Sequence, residues 1–492
     1  MRYLTGLLTR SKKSSSLRAI NVLQSKRRRR RLIVEQLEDR RLLATFTVVN
    51  TDDSGAGSFR QAIVDANTSL GNDTIQFDSG VNGTITLTSG ELAITDSLDV
   101  QGPGSNVLAI SGNSSSRVFY VSANATISGL TITGGSSSNG GGIYNSGSTL
   151  TVGNCTITGN TVGIYNHGGT LTVSNSNFAG NIGSPFTTVS FLGTFDHLVG
   201  SGIYNSFGGV ATVSGSRFTG NAGSGIFNHY VSGSLTTVNV SHSTFSGNQA
   251  EHGGGIYSYG GGIVQVNKST FVHNSATGQI FSSGGGINCF VGGTLTVSNS
   301  TFSENQANYD LDGVNFSGTG GGGGAISVSL GTVTNVSNST FFGNRSYVAG
   351  GAIFTYQATL TVTNSTLFGN TATTLAGGAI WSSGTRPTIG NTIIAGNTAP
   401  ENPDVRAGVL STGNNLIGNT SGSNGWVGSD LTGTSALPLN PMLAPLGNYG
   451  GPTQTMALLV VVTVTPPLVS TRLRSLSLMT ILARAKRSSN IS

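Results

Sequence analysis

One spacing constrains this chain before anything else does. A block of the form Ser-Thr-Phe-Ser-Gly-Asn recurs nine times between Cys155 and Asn397, and in each copy an Asn follows a large apolar residue by three. Those residues are Asn160, Asn181, Asn221, Asn248, Asn274, Asn305, Asn344, Asn370 and Asn397. The Val of a Leu-Thr-Val block stands five residues before the apolar residue in all eight complete copies, from Val152 and Ile157 to Val362 and Leu367. A Gly-rich run ending in Ile precedes that Val by nine or ten residues in seven copies and by fourteen in one, Ile226 to Val240. The step from Asn to the next Ile instead runs from four residues (Asn160 to Ile164) to twenty-two (Asn181 to Ile203). Two links of the repeat are fixed in length and the third is free.

Three short segments per repeat, each alternating apolar and polar residues and separated by Gly, Asn and Ser, describe one coil of an all-β solenoid with about three strands per coil. Stacking sets equivalent residues ~4.8 Å apart, so Ile, Val and Phe form continuous inner columns, and no coil buries its apolar face alone. The recurring Asn is expected at a turn, where Asn tolerates left-handed backbone, with its amides bonded along a column. Gly ahead of the Ile is expected to supply positive φ at a sharp corner. The 74 Gly among 492 residues follow no three-residue period and only 11 Pro accompany them, which excludes collagen. Long helices are excluded as well, since Gly costs about 1 kcal/mol per helical position. The expected organisation is a basic leader (1–44), an N-terminal cap with irregular coils (45–135), the repetitive solenoid (136–397), C-terminal coils and cap (398–458) and a basic tail (459–492).

A solenoid has an open apolar end that needs a cover. Ser58 and Gln61 have capping-box spacing, and Phe59, Ala62, Ile63 and Ala66 form a helical stripe, so a short amphipathic helix is expected to plug the N-terminal opening. Charge is segregated: residues 1–44 hold 13 Lys/Arg against 3 Asp/Glu, residues 45–458 hold 7 against 16, and residues 459–492 hold 5 against none. The body is therefore acidic (net −9) although the whole chain is +6, which argues against a nucleic-acid partner. The apolar run Met456 to Val464 is too short for a bilayer span of about 20 residues, so no transmembrane helix is expected. Cys155 and Cys289, about five coils apart and so roughly 24 Å, are too distant for a disulfide.

The pairing of Gly-Gly-Ala-Ile, as in Gly323 to Ile326 and Gly350 to Ile353, with Phe-x-x-Asn, as in Phe178 to Asn181 and Phe341 to Asn344, resembles the repeats of polymorphic outer membrane protein passengers. The opening Thr47 to Ile63 and the closing Asn414 to Asn419 and Gly447 to Thr453 are similar to the ends of large bacterial surface-exposed β-helix proteins. The resemblance implies a right-handed parallel β-helix at a cell surface and carries over no catalytic residue. Arg27 to Arg31 with Gln36 to Ala44 resembles a leader on large exported proteins of planctomycete bacteria, although it lacks an apolar core. An extracellular, cell-surface or outer-membrane-associated location is the corresponding expectation. No series of alternating barrel strands follows residue 458, and the acid-free tail after Leu459 reads as a frameshifted or altered ending.

Catalysis is the weaker expectation. A glycoside hydrolase needs paired carboxylates and a polysaccharide lyase needs acidic Ca²⁺ ligands with a base. Between 136 and 397 the acidic residues are only Asp196, Glu251, Glu304, Asp310 and Asp312. Asn50-Thr51-Asp52-Asp53 resembles a polygalacturonase motif without its downstream partners. No cofactor is expected, Ca²⁺ at Asp310 and Asp312 being a weak possibility, and the six His form no close metal-ligand pair. The candidate binding residues are on the two long excursions of the free corner, Ile182 to Gly202 and Gln306 to Gly324: Phe186, Phe191, Phe195, His197, Tyr309, Asp310, Asp312 and Phe316. The expected partner is a cell-surface polysaccharide or protein, in an adhesin or structural envelope role, with a polysaccharide lyase or hydrolase as the alternative.

Overall fold

The structure is a computed structural model that describes residues 43–459 except 191–192, 232, 279–282 and 309–321. The chain divides into Met1–Arg41, outside the described residues, and a unit beginning at Leu42. That unit is a parallel β-helix. Each coil contributes one strand to each of three sheets: in one turn Ile143–Ser146, Thr149–Gly153 and Thr156–Thr158, in the next Ile164–His167, Thr170–Ser174 and Asn177–Ala179. The inward residue names each sheet conveniently as Ile, Val or Phe. The Ile sheet has 13 strands, and the Val and Phe sheets 14 each. A minor sheet of five two-residue strands, Gln249–Ala250 to Thr371–Ala372, lines the free corner.

The repeat spacing becomes register. Ile143, Ile164, Ile203 and Ile226 are successive partners, as are Val152, Val173 and Val213. Phe178, Phe218, Phe245, Phe271, Phe302 and Phe341 are fully buried and stack with centroids 4.6–4.9 Å apart and planes within 6°. Each such side chain is worth about 1.5–3 kcal/mol of burial, and the offset stack adds to it.

Polar side chains also run through the interior. Asn248 donates its backbone N–H (3.2 Å) and its side-chain amide (2.8 Å) to Asn274 Oδ1, and the amide reaches back to Phe218 O at 2.9 Å. The same pattern links every member from Asn160 to Asn397. A second column begins at Cys155, whose backbone N–H donates to Ser176 Oγ, and continues through Ser216, Ser243, Ser269, Ser300, Ser339 and Ser365 to Thr392. The buried amides and hydroxyls of these two columns thus find partners in one another.

Two local expectations are corrected. None of the nine column Asn has positive φ; the left-handed position is the residue just before it, Gly in seven coils and His273 (φ 54°) or Glu304 (φ 55°) in two. The Asn itself is held in ordinary backbone because its amide is anchored on both neighbouring coils. The Gly immediately before the Ile also has no positive φ, yet a Cβ on Gly202 would lie 2.3 Å from Gly225 O and 2.8 Å from Phe218 Cδ1. Close approach of coils calls for glycine at Gly202, whereas the same position is a buried Ala325, Ala352 or Ala379 in three later coils, and the turn glycine sits two residues earlier, as at Gly200 (φ 61°).

At the N-terminal end the helix Phe59–Thr68 follows Ser58, which accepts from Gln61 N–H at 3.2 Å. Gln61 turns to Asp65 instead of closing a capping box. Phe59, Ala62, Ile63 and Ala66 are buried, with the Phe59 ring 5.1 Å from Phe77 and 6.0 Å from Phe119. At the other end Trp426 packs on the core. Residues 442–459 run back along the chain's own flank, where Thr453 donates to Asn299 O (3.1 Å) and Thr455 bonds Thr340 (2.9 Å). Among the described residues no helix is long and apolar enough to cross a membrane.

Candidate binding face

Of the loop residues singled out from the sequence, Phe191, Tyr309, Asp310, Asp312 and Phe316 lie outside the described residues, and with them the Ca²⁺ expectation. The first excursion folds as an antiparallel hairpin, Ser184–Ser190 with Gly193–Val199, pairing Phe186 with His197 and Thr188 with Phe195. That register assigns Phe186, Phe195 and His197 to positions of one face of the ribbon. The hairpin enters the coil at Ile203–Ser206, a strand of the Ile sheet.

The outer face of the Ile sheet carries a feature that the repeat reading passed over. Alternation turns Ile143 and Asn145 inward and Tyr144 outward, and the same holds in six successive coils: Tyr120, Tyr144, Tyr165, Tyr204, Phe227 and Tyr257. Their rings follow one another at 5.7, 5.4, 4.4, 4.9 and 5.1 Å, with Tyr165 and Tyr204 nearly parallel at 14°. A second column two residues further along each strand holds His167, His229, Tyr259 and Phe290; His229 and Tyr259 are 5.9 Å apart, Tyr259 and Phe290 6.0 Å. Tyr120, Tyr144, Tyr204 and Tyr259 are half-buried and Phe290 is exposed, whereas Tyr165, Phe227 and Tyr257 are buried. The stripe from Tyr120 to Phe290 crosses six coil steps, roughly 29 Å at the strand spacing.

Hydrogen bonds fix the phenols. Ser206 Oγ donates to Tyr165 Oη at 3.1 Å, and Tyr204 Oη meets His229 Nδ1 at 3.0 Å. Burial lowers the His229 pKa to about 4, so the ring is neutral near pH 7, and burial raises Tyr204 above the usual phenol range. Arg117 lies 4.9 Å over the Tyr144 ring and is paired with Glu91 at 2.9 Å. The face is aromatic, hydroxylated and almost uncharged: rings to stack on and phenols to bond with. The recurring Gly-Ile-Tyr-Asn block, as in Gly142 to Asn145 and Gly202 to Asn205, is the sequence signal for it.

Three of the described carboxylates, Asp53, Asp404 and Asp430, have structural work. Burial would raise Asp53, but bonds from Arg60, Ser89 and Thr88 outweigh it and hold the carboxyl at about 2. The motif that resembles a polygalacturonase site is thus a clamp between the helix and the loop at Thr88. Asp404 and Asp430 accept from the ends of the two interior columns. No group of three or more His, Cys, Asp or Glu suited to a metal occurs among the described residues. The cysteines are buried and free, and burial pushes the Cys155 thiol up to about 11 and Cys289 to about 12.

The model of the "Right handed beta helix region" family matches residues 110–302, giving the coil its hand. No curated protein matches the chain. Similar solved structures include a GH87 alpha-1,3-glucanase catalytic domain in complex with tetrasaccharides (13% identity, TM-score 0.46, 80% of this chain and 67% of that one). Another is the catalytic unit of the thermostable GH87 alpha-1,3-glucanase of Streptomyces thermodiastaticus (15%, TM-score 0.42, 80% and 71%). A third is a mannuronic acid specific polysaccharide family 6 lyase from human gut microbiota (10%, TM-score 0.37, 74% and 82%). At these values none of them bears on the chemistry of this chain.

Proposed function

We propose that this right-handed parallel β-helix is an exported, cell-surface or extracellular glycan-binding protein, non-catalytic, with the outer aromatic stripe of its Ile sheet as the binding track. The observation that carries the reading is the run of six outward aromatic residues in successive coils, several of them half-exposed. A sugar ring offers an apolar face to an aromatic ring and hydroxyls to phenols, and a track of ~29 Å suits an extended polymer better than a small molecule. Export rests on the leader-like Arg27 to Ala44 and on the surface-protein repeats. An adhesin role follows from polymer recognition without turnover, and the engagement of Asp53, Asp404 and Asp430 inside the scaffold favours binding over hydrolysis.

The test is calorimetry and product analysis of the full chain against a panel of soluble polysaccharides. Binding that Tyr144→Ala and Tyr204→Ala weaken, with no oligosaccharide released, is the expected result. Release of oligosaccharides, or binding indifferent to both substitutions, overturns the reading.

A further inference from the structure

Seven basic residues serve the acidic body between 45 and 458: Arg60, Arg117, Arg217, Lys268, Arg345, Arg386 and Arg406. Arg60 and Arg117 have carboxylate partners in Asp53 and Glu91. Arg386 and Arg406 differ. They come from successive coils near the C-terminal end, converge on one open cleft of about 390 Å³ lined also by Ser383, Thr385 and Gly408, and form no ion pair with any described residue.

Both guanidiniums are held in place by neutral groups. Arg406 lies 5.4 Å over the Trp381 ring, itself stacked on Phe354 at 4.6 Å and 5°. Arg386 Nη2 donates to Val409 O at 2.6 Å. Both side chains are exposed and line the cleft together with Gly384, Gly408 and Gly422. Two guanidinium forks with no carboxylate partner among the described residues, flanked by hydroxyls, match an oxyanion with two or three acceptor oxygens.

We propose that this cleft is an anion site that takes an oxyanion substituent of a saccharide, a carboxylate or a sulfate ester. The saccharide part rests on the glycan reading above; the anion part rests on the two arginines alone. Because the cleft sits at the edge of the same Ile sheet as the aromatic stripe, through the Trp381–Arg406 strand pairing, one acidic polymer can engage both.

The experiment titrates the full chain with tetragalacturonate, with a sulfated dextran oligomer of matched length and with plain dextran, at low and high salt. The variants are Arg386→Gln/Arg406→Gln, the same pair to Lys, and Tyr144→Ala, each checked for an unchanged melting temperature. Expected is a loss of about tenfold or more for one charged oligomer in the Gln pair, partial recovery in the Lys pair, and no change for dextran. Which oligomer responds identifies carboxylate or sulfate. Equal affinity of wild type and the Gln pair for both charged oligomers overturns the site. Charged oligomers bound through the arginines, with dextran unbound, would leave the anion site standing, while the stripe, nine coil steps away at Tyr144, is judged by the polysaccharide panel and its Tyr144→Ala and Tyr204→Ala variants.

Discussion

Asn397 donates both its backbone N–H and its side-chain amide to Asp404 Oδ1, the latter at 2.8 Å, and the nine-residue Asn column ends there. The second column ends in the same way, Asn415 donating N–H and amide to Asp430 Oδ1 at 3.0 and 2.9 Å. Every Asn hands its donors forward and accepts on its oxygen, so the last position needs a group that only accepts. A carboxylate meets that need.

Asp404→Ala removes the acceptor of the buried Asn397 backbone N–H and of the part-buried Asn419 N–H, and one of the three acceptors of the Asn397 amide, which keeps Leu367 O and Ala395 O. The expected cost is about 3 kcal/mol or more, read by chemical denaturation. An unchanged midpoint would refute the terminator role.

Burial lifts the Asp404 carboxyl from 3.8 to about 6 in spite of the donors around it. Between those values the folded protein holds a proton that the unfolded chain has released, so stability falls as pH rises through the window and the full cost stands above pH 6. Asp404 therefore contributes about 1 kcal/mol more stability at pH 5 than at pH 7, while His229, held near 4 by burial, acts in the opposite sense, so the effect is read as the difference in pH dependence between wild type and Asp404→Asn, the variant being less stable overall. Denaturation curves of both proteins at the two pH values decide it.

Gly202→Ala is expected to be destabilising although its φ is ordinary and three later coils carry Ala325, Ala352 and Ala379 at the equivalent position, because here the new methyl meets Gly225 O and the Phe218 ring. Overpacking of this kind costs about 1–3 kcal/mol, and more against backbone. Gly147→Ala tests the contrast: it has open space but a φ of 74°, so only backbone strain of about 1 kcal/mol is expected. Comparable melting temperatures for the two would contradict the steric account.

Phe59→Ser with Ile63→Ser should uncover the first coil. The expected signs are a lower melting temperature, dye binding to exposed apolar surface and loss of solubility, about 3–5 kcal/mol in total if the stack stays folded. Retained solubility and melting would show that the helix is not the plug.

Tyr204→Ala should weaken glycan binding about tenfold with a smaller loss of stability than Gly202→Ala, since the half-buried ring packs on the small outer cluster of Phe227 and Tyr257 and not on the main core. Equal losses of binding and stability would mark Tyr204 as a scaffold residue only.

The coil was legible because Val-to-Phe spacing is a geometric constant of a corner: the Phe178 to Phe341 stack and the Asn column follow directly from it. The helix was legible from the stripe Phe59, Ala62, Ile63 and Ala66. The aromatic stripe was within reach, since Ile143 inward and Asn145 inward leave Tyr144 outward, but attention to loop aromatics hid it. Arg386 and Arg406 were not legible, because 20 residues separate them and only the coil length brings them together. Nor were Asp404 and Asp430, which stand after the last regular repeat and gain their meaning from donors on other coils. The side of the turn on which glycine is needed also escaped the sequence, as φ and clearance demand glycine for different reasons and leave the same letter.

The column also has a consequence for length. Asn305 bonds to Asn344, and Asn344 to Asn370, with the same 2.9 Å amide contact, so one junction between coils is chemically interchangeable with the next. Excising or duplicating a whole turn between equivalent positions ahead of Asn299, where the segment 442–459 does not bond to the flank, creates no new kind of interface. The rod is therefore modular: its middle can be shortened or extended as a ruler, while the plug at Phe59 and the terminators at Asp404 and Asp430 are the parts that must be kept.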